Sequence, residues 1–288
     1  MLMDLKIDPK TKLYGIFGNP VEHSLSPLLH NAAFKHLKMD CVYMAFRIDP
    51  NSLALAFEGM RSLNIHGVNV TIPFKEDAVN LVDEIPEDFD RLTGAINTVS
   101  LKDGKLFGYN TDGPGFLQAL QEELSFRPEG KDVLVLGSGG AARGVVFALA
   151  RRGVDRIFIY NRSHERARGL AEYAATHFLE TEFQCIESPD ALPSSKLDLV
   201  VNATSCGMKS NKDLPMEWAR LGKPKAAYDL VYTPSETPWI KEAKKIGIPS
   251  ANGLGMLVAQ AAISFECWTG KKEGVREAMR EALEACQL

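Results

Sequence analysis

The sequence predicts an α/β protein with two domains, and three observations lead to this class. The chain has 288 residues, which is more than one average domain needs. Strand-like and helix-like segments alternate along the first third, as expected of a layered sheet with largely parallel strands. A continuous apolar strand, a glycine-rich turn and a helix follow one another within residues 129–153 and open a second unit.

The composition is that of a soluble globular protein with a sizeable core. Hydrophobic residues make up 45% and charged residues 24% of the chain, and the formal net charge is −4. This balance argues against nucleic acid or an anionic membrane as the main partner, because both require a basic face. The five cysteines are scattered without metal-ligand spacing, and no apolar leader is seen. We therefore predict reduced thiols, no metal site and a cytoplasmic location.

The first third predicts three strands, each followed by a helix. The strands are expected at residues 13–17, 42–48 and 67–71, and the helices at 28–38, 52–63 and 76–82. A strand that runs into a turn-rich loop is expected at 105–116, and a helix at 115–124. Near the other end, the apolar segment 253–268 is shorter than the roughly 20 residues of a membrane span, and Gln260 and Glu266 interrupt it. It predicts a buried helix, and a charged amphipathic helix is expected at 273–285.

The second unit carries a dinucleotide-binding signature. The apolar strand 133–136 leads into GSGGAARG, in which Gly137 and Gly139 occupy the first two glycine positions and Ala142 the third. Glycines let the backbone approach a pyrophosphate, and the following helix offers free N–H groups. Further strands are expected at 156–163, 197–202 and 226–230, which predicts a doubly wound Rossmann-type domain. The candidate loop residues are Gly137, Ser138, Gly139, Gly140 and Ala141.

The end of the second strand of this unit indicates which dinucleotide binds. An acidic residue at this position usually holds the ribose 2′-hydroxyl of NAD. This chain has Asn161, Arg162 and Ser163 instead, with Arg166 one helical turn further on. A guanidinium can hold a 2′-phosphate through two hydrogen bonds, and an acid would repel it. The sequence therefore predicts NADP(H) as the cofactor.

The stretch GNPVEHSLSP, residues 18–27, is too rich in polar and turn-forming residues for a plain connection between a strand and a helix. Ser24 and Ser26 are candidates for binding a small anion. The competing interpretation is helix capping, because Ser26 resembles an N-cap with Pro27 at the first helical position. Both roles are compatible, since an N-cap also directs backbone N–H groups towards the same anion.

Several blocks together resemble the shikimate dehydrogenase family, in the order of that family and from residue 14 to about residue 265. They are GNPVEHSLSP, GVNVTIPFKE, GAINTV, GYNTDGPGF, GSGGAARG, NRS, NATSCGM and ANGLGMLVAQAA. The resemblance implies NADP-dependent, reversible reduction of 3-dehydroshikimate to shikimate, a step of aromatic amino-acid biosynthesis. It also implies a substrate domain formed by both chain ends, 1–112 with 252–288, and an NADP domain at 113–251. The implied partner is the small-molecule substrate, and the chain is expected to be a monomer or a homodimer.

The resemblance also assigns roles to residues of this sequence. Lys75 and Asp112 match the catalytic pair of the family, whereas from the sequence alone Lys75 is better explained as a solvated lysine. The expected substrate-binding residues are Ser24, Ser26, Thr71, Lys75, Asn97, Asp112, Tyr232 and Gln260. On the nicotinamide side the resemblance implies Asn202, Ala203, Thr204, Leu230, Gly253 and Met256.

Three alternatives remain open at this point. A dehydrogenase that acts on quinate, or on both acids, differs by only one ring hydroxyl in its substrate. A pathway sensor on the same fold is expected to lack the Lys75/Asp112 pair or to carry a DNA-binding segment, and the sequence shows neither. A methylene-tetrahydrofolate dehydrogenase has a similar architecture, but the SLSP and NTDG blocks argue against it.

Overall fold

The computed structural model describes residues 7–192, 197–208 and 213–286, and the chain divides into two compact units. Unit 1 comprises Met1–Thr111 with Ala261–Leu288, and unit 2 comprises Asp112–Gln260. The segment 252–260, which we expected in the substrate domain, belongs to unit 2. Its backbone packs tightly there, because a Cβ atom on Gly253 would lie 2.1 Å from the carbonyl oxygen of Leu230.

Unit 1 is built on a five-stranded sheet of order β2-β1-β3-β4-β5. Its strands are β1 (Lys12–Gly18), β2 (Cys41–Arg47), β3 (Gly67–Val70), β4 (Thr98–Lys102) and β5 (Lys105–Tyr109). The first three are parallel, as predicted, and β4 pairs antiparallel with both neighbours. A two-residue turn joins β4 to β5, with Asp103 at φ 51° and Gly104 at φ 78°. Asp-Gly favours this left-handed turn, but β4 itself was not predicted.

The helices that cover this sheet are α1 (Ser26–His36), α2 (Leu53–Ser62) and α3 (Asp88–Thr93). The predicted helix at 76–82 is wrong in type, since the chain forms only a short 3₁₀ turn at Asp77–Asn80. The N-cap assignment at Ser26 is also wrong. Leu25 is the N-cap, Ser26 is already helical, and Pro27 lies within the first two helical positions.

Unit 2 contains a parallel six-stranded sheet of order β11-β10-β9-β6-β7-β8. The strands are β6 (Asp132–Leu136), β7 (Arg156–Tyr160), β8 (Glu182–Ile186), β9 (Leu199–Asn202), β10 (Ala226–Asp229) and β11 (Ser250–Ala251). Its helices are α4 (Asp112–Leu124), α5 (Gly140–Arg151), α6 (His164–Ala175), α7 (Trp218–Leu221) and α8 (Pro238–Lys245). The strand order reverses between β6 and β9, which is the switch point of a doubly wound fold.

Two helices complete the chain, α9 (Leu254–Thr269) and α10 (Val275–Ala285). Both were predicted, and α9 is largely buried, as expected of a helix whose sequence is almost uniformly apolar. Within the described ranges, no helix is both long and apolar enough to cross a membrane. Each unit has its own apolar core. Phe57, Val68 and Phe74 lie in the core of unit 1, and Leu134, Val200 and Trp239 in that of unit 2.

Candidate active site

In unit 1, the predicted substrate residues gather at one edge of the sheet. Parallel strands β1 and β3 end there, and the segments that carry Ser24 and Thr71 follow them. The antiparallel strand β4 begins at the same edge, so Asn97 lies beside the end of β3, where its carbonyl accepts from the N–H of Val70 at 2.8 Å. Strand β5 ends there too and leads to Thr111. The carboxyl edge of parallel strands is the usual ligand-binding edge of an α/β sheet.

The loop of residues 18–27 contains a hydrogen bond that bears on both interpretations of its serines, anion binding and helix capping. Ser24 Oγ accepts from the backbone N–H of Ser26 at 3.2 Å, so the hydroxyl already stabilises the first turn of α1. Ser26 is buried and Ser24 half-buried, whereas His23 is exposed. No side chain caps α1 at Leu25. The hydroxyl of Ser24 still has a proton to donate, which suits a carboxylate.

Thr71 and Lys75 occupy the segment after β3. The N–H of Thr71 donates to the carbonyl of Phe17 at 2.9 Å, which holds this segment beside the end of β1. Gly18 makes that approach possible, because a Cβ atom there would lie 2.4 Å from Thr71 Cγ2. The carbonyl of Lys75 accepts from the N–H of Ile96 at 2.9 Å, so Lys75 is fixed close to Asn97 in the fold of unit 1.

Asn97 is held by a second residue of the same edge. Its Nδ2 donates to Thr111 Oγ1 at 2.8 Å, and its Oδ1 accepts from the N–H of Thr111 at 2.7 Å. This two-way contact fixes the orientation of the amide. It also ties Asn97 to the residue that directly precedes Asp112, the first residue of α4.

A buried network of amide and hydroxyl side chains adjoins the contact between Asn97 and Thr111. Asn69 Nδ2 donates to Ser264 Oγ at 3.0 Å, and Tyr43 Oη donates to Asn69 Oδ1 at 2.7 Å. Ser264 Oγ in turn lies 2.6 Å from Thr98 Oγ1 and 3.1 Å from Thr111 Oγ1. No pattern in the sequence indicated Ser264, which lies inside an apolar helix. Asn69 acts here as a structural support.

Asp112 opens α4 in unit 2 and is only 4% exposed. The two glycines after it serve packing. A Cβ atom on Gly113 would lie 2.9 Å from the carbonyl oxygen of Gly144 on α5, and one on Gly115 would lie 2.7 Å from the backbone nitrogen of Gln260. Gln260 is 9% exposed and its Nε2 donates to the carbonyl of Leu257 at 2.9 Å. Asn110, the other polar residue of this block, supports a turn by donating to the carbonyl of Ala95 at 2.8 Å.

The glycine loop of unit 2 joins β6 to α5 as predicted. Gly137 has φ 113°, and a Cβ atom there would lie 2.9 Å from the carbonyl oxygen of Ala203, so the position requires glycine. Gly139 is the N-cap of α5 and has no side-chain cap, and Gly140 and Ala141 form the first turn. The backbone N–H groups at this end of α5 are therefore available for an anion.

Ser138 provides an independent sign of a ligand in the same loop. It is 4% exposed, and its Oγ has no hydrogen-bond partner among the described residues. A buried hydroxyl without a partner is costly, and a pyrophosphate oxygen would satisfy it. Together with the open end of α5, this unsatisfied hydroxyl shows that the loop fits the diphosphate of a dinucleotide.

The segment after β7 carries the residues predicted to select NADP(H). Arg162 and Arg166 are both exposed, on either side of Ser163, which is the N-cap of α6. Asn161 Nδ2 donates to the carbonyl of Ser163 at 3.0 Å and shapes the turn. Two guanidinium groups at a helix N-terminus suit a phosphate, although Glu165 contributes a negative charge to the same turn.

The residues expected on the nicotinamide side follow β9 and β10 or lie around the start of α9. Thr204 N–H and Oγ1 donate to Asn202 Oδ1 at 3.0 and 2.7 Å. Leu230 and Tyr232 follow Asp229, the last residue of β10, and burial raises the pKa of Tyr232. Gly253 and Met256 are buried, Gly253 against Leu230. No group of three or more metal-ligating side chains occurs within residues 7–192, 197–208 and 213–286.

Known families match the chain in three consecutive parts. The shikimate dehydrogenase substrate binding domain matches residues 16–99. The shikimate / quinate 5-dehydrogenase family matches residues 119–209, and the shikimate 5′-dehydrogenase C-terminal domain matches residues 253–284.

Individual proteins of high similarity agree with these matches. A shikimate dehydrogenase (NADP⁺) of Methanopyrus kandleri is 44% identical over 98% of this chain and 98% of its own length. A crystal structure of a shikimate dehydrogenase in complex with NADP⁺ is 40% identical, covers 97% of both chains and superposes with a TM-score of 0.87. The enzyme of Thermus thermophilus in complex with NADP(H) and shikimate is 34% identical over 94% of this chain and 99% of that one, with a TM-score of 0.81. The chain therefore belongs to the shikimate dehydrogenase family.

Proposed function

We propose that this protein catalyses the reversible, NADP-dependent reduction of 3-dehydroshikimate to shikimate. The observation that carries the proposal is the glycine loop with its unsatisfied Ser138 hydroxyl, in a chain whose relatives are NADP⁺-dependent shikimate dehydrogenases over nearly their full length. Aromatic amino-acid biosynthesis is the corresponding pathway, and we place the reaction in the cytoplasm. The chain acts as a monomer or a homodimer.

The substrate residues divide by the chemistry that each can offer. Ser24 and Ser26 donate hydroxyl hydrogen bonds to the carboxylate of the substrate, which binds it without the tight hold of an ion pair. Thr71, Asn97, Tyr232 and Gln260 contact the ring hydroxyls. The fixed orientation of the Asn97 amide supports this role, because a preorganised group loses little entropy when the substrate binds.

Lys75 and Asp112 carry the proton transfer. Bound NADPH supplies the hydride. Negative charge then grows on the ketone oxygen, and the Lys75 ammonium donates a hydrogen bond to this oxygen and transfers its proton as the alcohol forms. Asp112 accepts a hydrogen bond from a ring hydroxyl and orients the ammonium group. In the oxidative direction Lys75 takes the proton back from the alcohol.

The geometry of unit 2 supports the following cofactor contacts. The loop Gly137–Ala141 holds the diphosphate, with Ser138 Oγ and the N–H groups of α5 as donors. Arg162 and Arg166, with Asn161 and Ser163, hold the adenosine ribose and its 2′-phosphate. Thr204, Leu230, Gly253 and Met256 form the nicotinamide side.

The first experiment measures the reduction of NADP⁺ by absorbance with shikimate as substrate, and repeats it with quinate and with NAD⁺. We expect the highest kcat/KM for shikimate with NADP⁺. Comparable activity with quinate would support the dual-specificity alternative. No activity with either acid, from a protein that binds NADPH, would support the sensor alternative.

The catalytic pair is tested by a double-mutant cycle. Lys75→Ala should lower kcat by about 10²- to 10⁴-fold, and KM for shikimate should change much less. Asp112→Asn should give a smaller loss, and the double variant should be little worse than Lys75→Ala, because groups that act as a unit are not additive. Independent, multiplicative losses would show that the two residues do not act together. Lys10→Ala, which removes an exposed lysine of unit 1, is the matched control and should leave kcat unchanged.

A further inference from the structure

Asp229 is a completely buried carboxylate at the end of β10 that the reaction does not use. Three neutral groups donate to it. Asn202 Nδ2 and the N–H of Val231 donate to Oδ1 at 2.8 and 3.0 Å, and Thr237 Oγ1 donates to Oδ2 at 2.7 Å. Burying an ionised carboxylate is expensive, and burial raises the pKa of Asp229 to about 6. The fold thus retains an acid that costs stability.

The three donors belong to two segments that both follow strands of the parallel sheet. Asn202 ends β9 and begins the turn to Cys206, whereas Val231 and Thr237 bound the segment between β10 and α8. Thr237 Oγ1 also accepts from the N–H of Ile240 at 3.2 Å and caps α8. One carboxylate therefore joins the exits of two neighbouring strands.

Two acceptors, Asp229 Oδ1 and the carbonyl of Cys206 at 3.1 Å from Nδ2, together determine which way the Asn202 amide points. A carboxylate can only accept, so Nδ2 of Asn202 must face Asp229 and Oδ1 must face the opposite side. On that side Oδ1 accepts from both the N–H and the hydroxyl of Thr204. With the amide reversed, Nδ2 would face the N–H of Thr204, and the turn would lose that backbone hydrogen bond.

This turn lies against the dinucleotide loop. A Cβ atom on Gly137 would lie 2.9 Å from the carbonyl oxygen of Ala203 and 3.3 Å from Thr204 Cγ2. In the sheet, β9 and β10 lie on one side of β6, and β7 with Arg162 lies on the other. A dinucleotide whose diphosphate lies at β6 and whose 2′-phosphate lies at β7 must extend its nicotinamide half over β9 and β10.

We propose that Asp229 is a positioning residue for the nicotinamide half of the cofactor site. It acts through Asn202 on the Thr204 turn, and through Val231 and Thr237 on the segment of Leu230 and Tyr232. The inference rests on the proposed NADP(H) function. It predicts a selective effect, because the adenosine-2′-phosphate half lies on the other side of β6.

The experiment compares two ligands that share only one half of the site. NADPH binding is measured by the fluorescence of its nicotinamide, and 2′,5′-ADP binding by calorimetry, both without substrate. Asp229→Ala should raise the Kd of NADPH about tenfold, while the Kd of 2′,5′-ADP changes less than about twofold. Asp229→Asn should remain within about threefold of the wild type for both ligands, because its Oδ1 still accepts from Asn202 and Val231.

A second buried carboxylate of the same sheet provides the matched control. Asp198 precedes β9, at the opposite end of the strands, and accepts from the N–H of Asp132 at 3.0 Å. Asp198→Ala should lower Tm without changing either Kd. The inference would be overturned if Asp229→Ala lowers Tm without changing either Kd, or if it raises the Kd of both ligands equally. If Asp229→Ala does not fold, Thr237→Val compared with Thr237→Ser makes the same test on the second segment.

Failure of the inference is distinct from failure of the proposed function. A wild-type protein that does not bind NADPH would contradict the function itself. A wild-type protein that binds NADPH, with an Asp229→Ala variant that binds it equally well, would contradict only the role of Asp229.

Discussion

We propose two roles for the Ser24 hydroxyl, one in the structure of its loop and one in substrate binding. Its oxygen accepts from the N–H of Ser26, and its proton can be donated to a substrate carboxylate. Ser24→Ala should weaken shikimate binding by about 1–2 kcal/mol, which would appear as a roughly five- to thirtyfold higher KM. Tm should fall only slightly, because the half-buried Ser24 hydroxyl contributes one long hydrogen bond, of 3.2 Å, to the loop.

The control for this prediction is a serine outside the site that makes the same kind of local hydrogen bond. Ser188 Oγ accepts from the N–H of Asp190 at 3.3 Å with the same spacing along the chain. Ser188→Ala should match any small loss of Tm and leave KM unchanged. If Ser24→Ala behaves in the same way, the helix-start role alone explains the serine.

Arg162 determines the choice of cofactor in our interpretation. Its side chain is exposed, so the loss of its contact with a phosphate should be smaller than for a buried pair. Arg162→Ala should raise KM for NADP⁺ about tenfold and leave KM for NAD⁺ nearly unchanged. Arg168→Ala is the control, because Arg168 is exposed on α6, the helix that follows Arg162, and pairs with Glu187. Equal effects of Arg162→Ala on both cofactors would contradict the role.

At the scale of elements, the parts that could be predicted were those with a strong local pattern. A continuous apolar run predicted the strand before Gly137. The glycines predicted the turn, and the helical spacing of apolar residues predicted α5. Strand β4 was missed, because its pairing with β3 joins residues distant in the sequence, such as Val68 and Val99; the Asp103-Gly104 turn to β5 is its only local signal. Ser264 and Asp229 were missed for a related reason. Each has a partner that is distant in the sequence, as the contacts of Ser264 with Thr98 and of Asp229 with Asn202 show.

The segment DGPG, residues 112–115, contains a proposed catalytic residue, but its glycines serve packing. Gly115 lets α4 approach the backbone of Gln260 on α9 within unit 2. Gly115→Ala should lower the free energy of unfolding by about 1–3 kcal/mol, because the added methyl group would overlap main-chain atoms. Denaturant unfolding measures this loss.

Gly169 is the matched glycine for that experiment. It lies within α6 of the same unit, and no atom lies within 4 Å of the position of an added Cβ. Gly169→Ala should stabilise the protein by about 0.5–1 kcal/mol, since alanine is the better helix former. A stable Gly115→Ala variant would mean that the two helices can separate at little cost.

At the scale of the whole molecule, two buried titratable groups act on stability in opposite directions. His30 stacks on Tyr43 with ring centroids 4.4 Å apart, and neither ring nitrogen has a hydrogen-bond partner within the described ranges. Burial lowers its pKa to about 3, and the neighbouring Asn69 side chain offsets only part of this. The folded chain thus binds fewer protons at His30 than the unfolded chain, and stability is lost as pH falls below about 6.5.

Asp229 has the opposite sign. Its pKa is raised to about 6, so the folded chain binds more protons there than the unfolded chain, and stability falls as pH rises from about 4 to 6. We expect His30→Phe to remove about 2 kcal/mol of the stability lost by the wild type between pH 7.5 and 4.5. Asp229→Asn should instead make the loss over this interval larger by about 2 kcal/mol, because it raises stability mainly at the higher pH. Denaturant unfolding at both pH values measures the two differences, and any constant cost of a substitution cancels. Changes of the same sign in both variants would contradict the assignment of one group as a buried neutral imidazole and the other as a buried carboxylate.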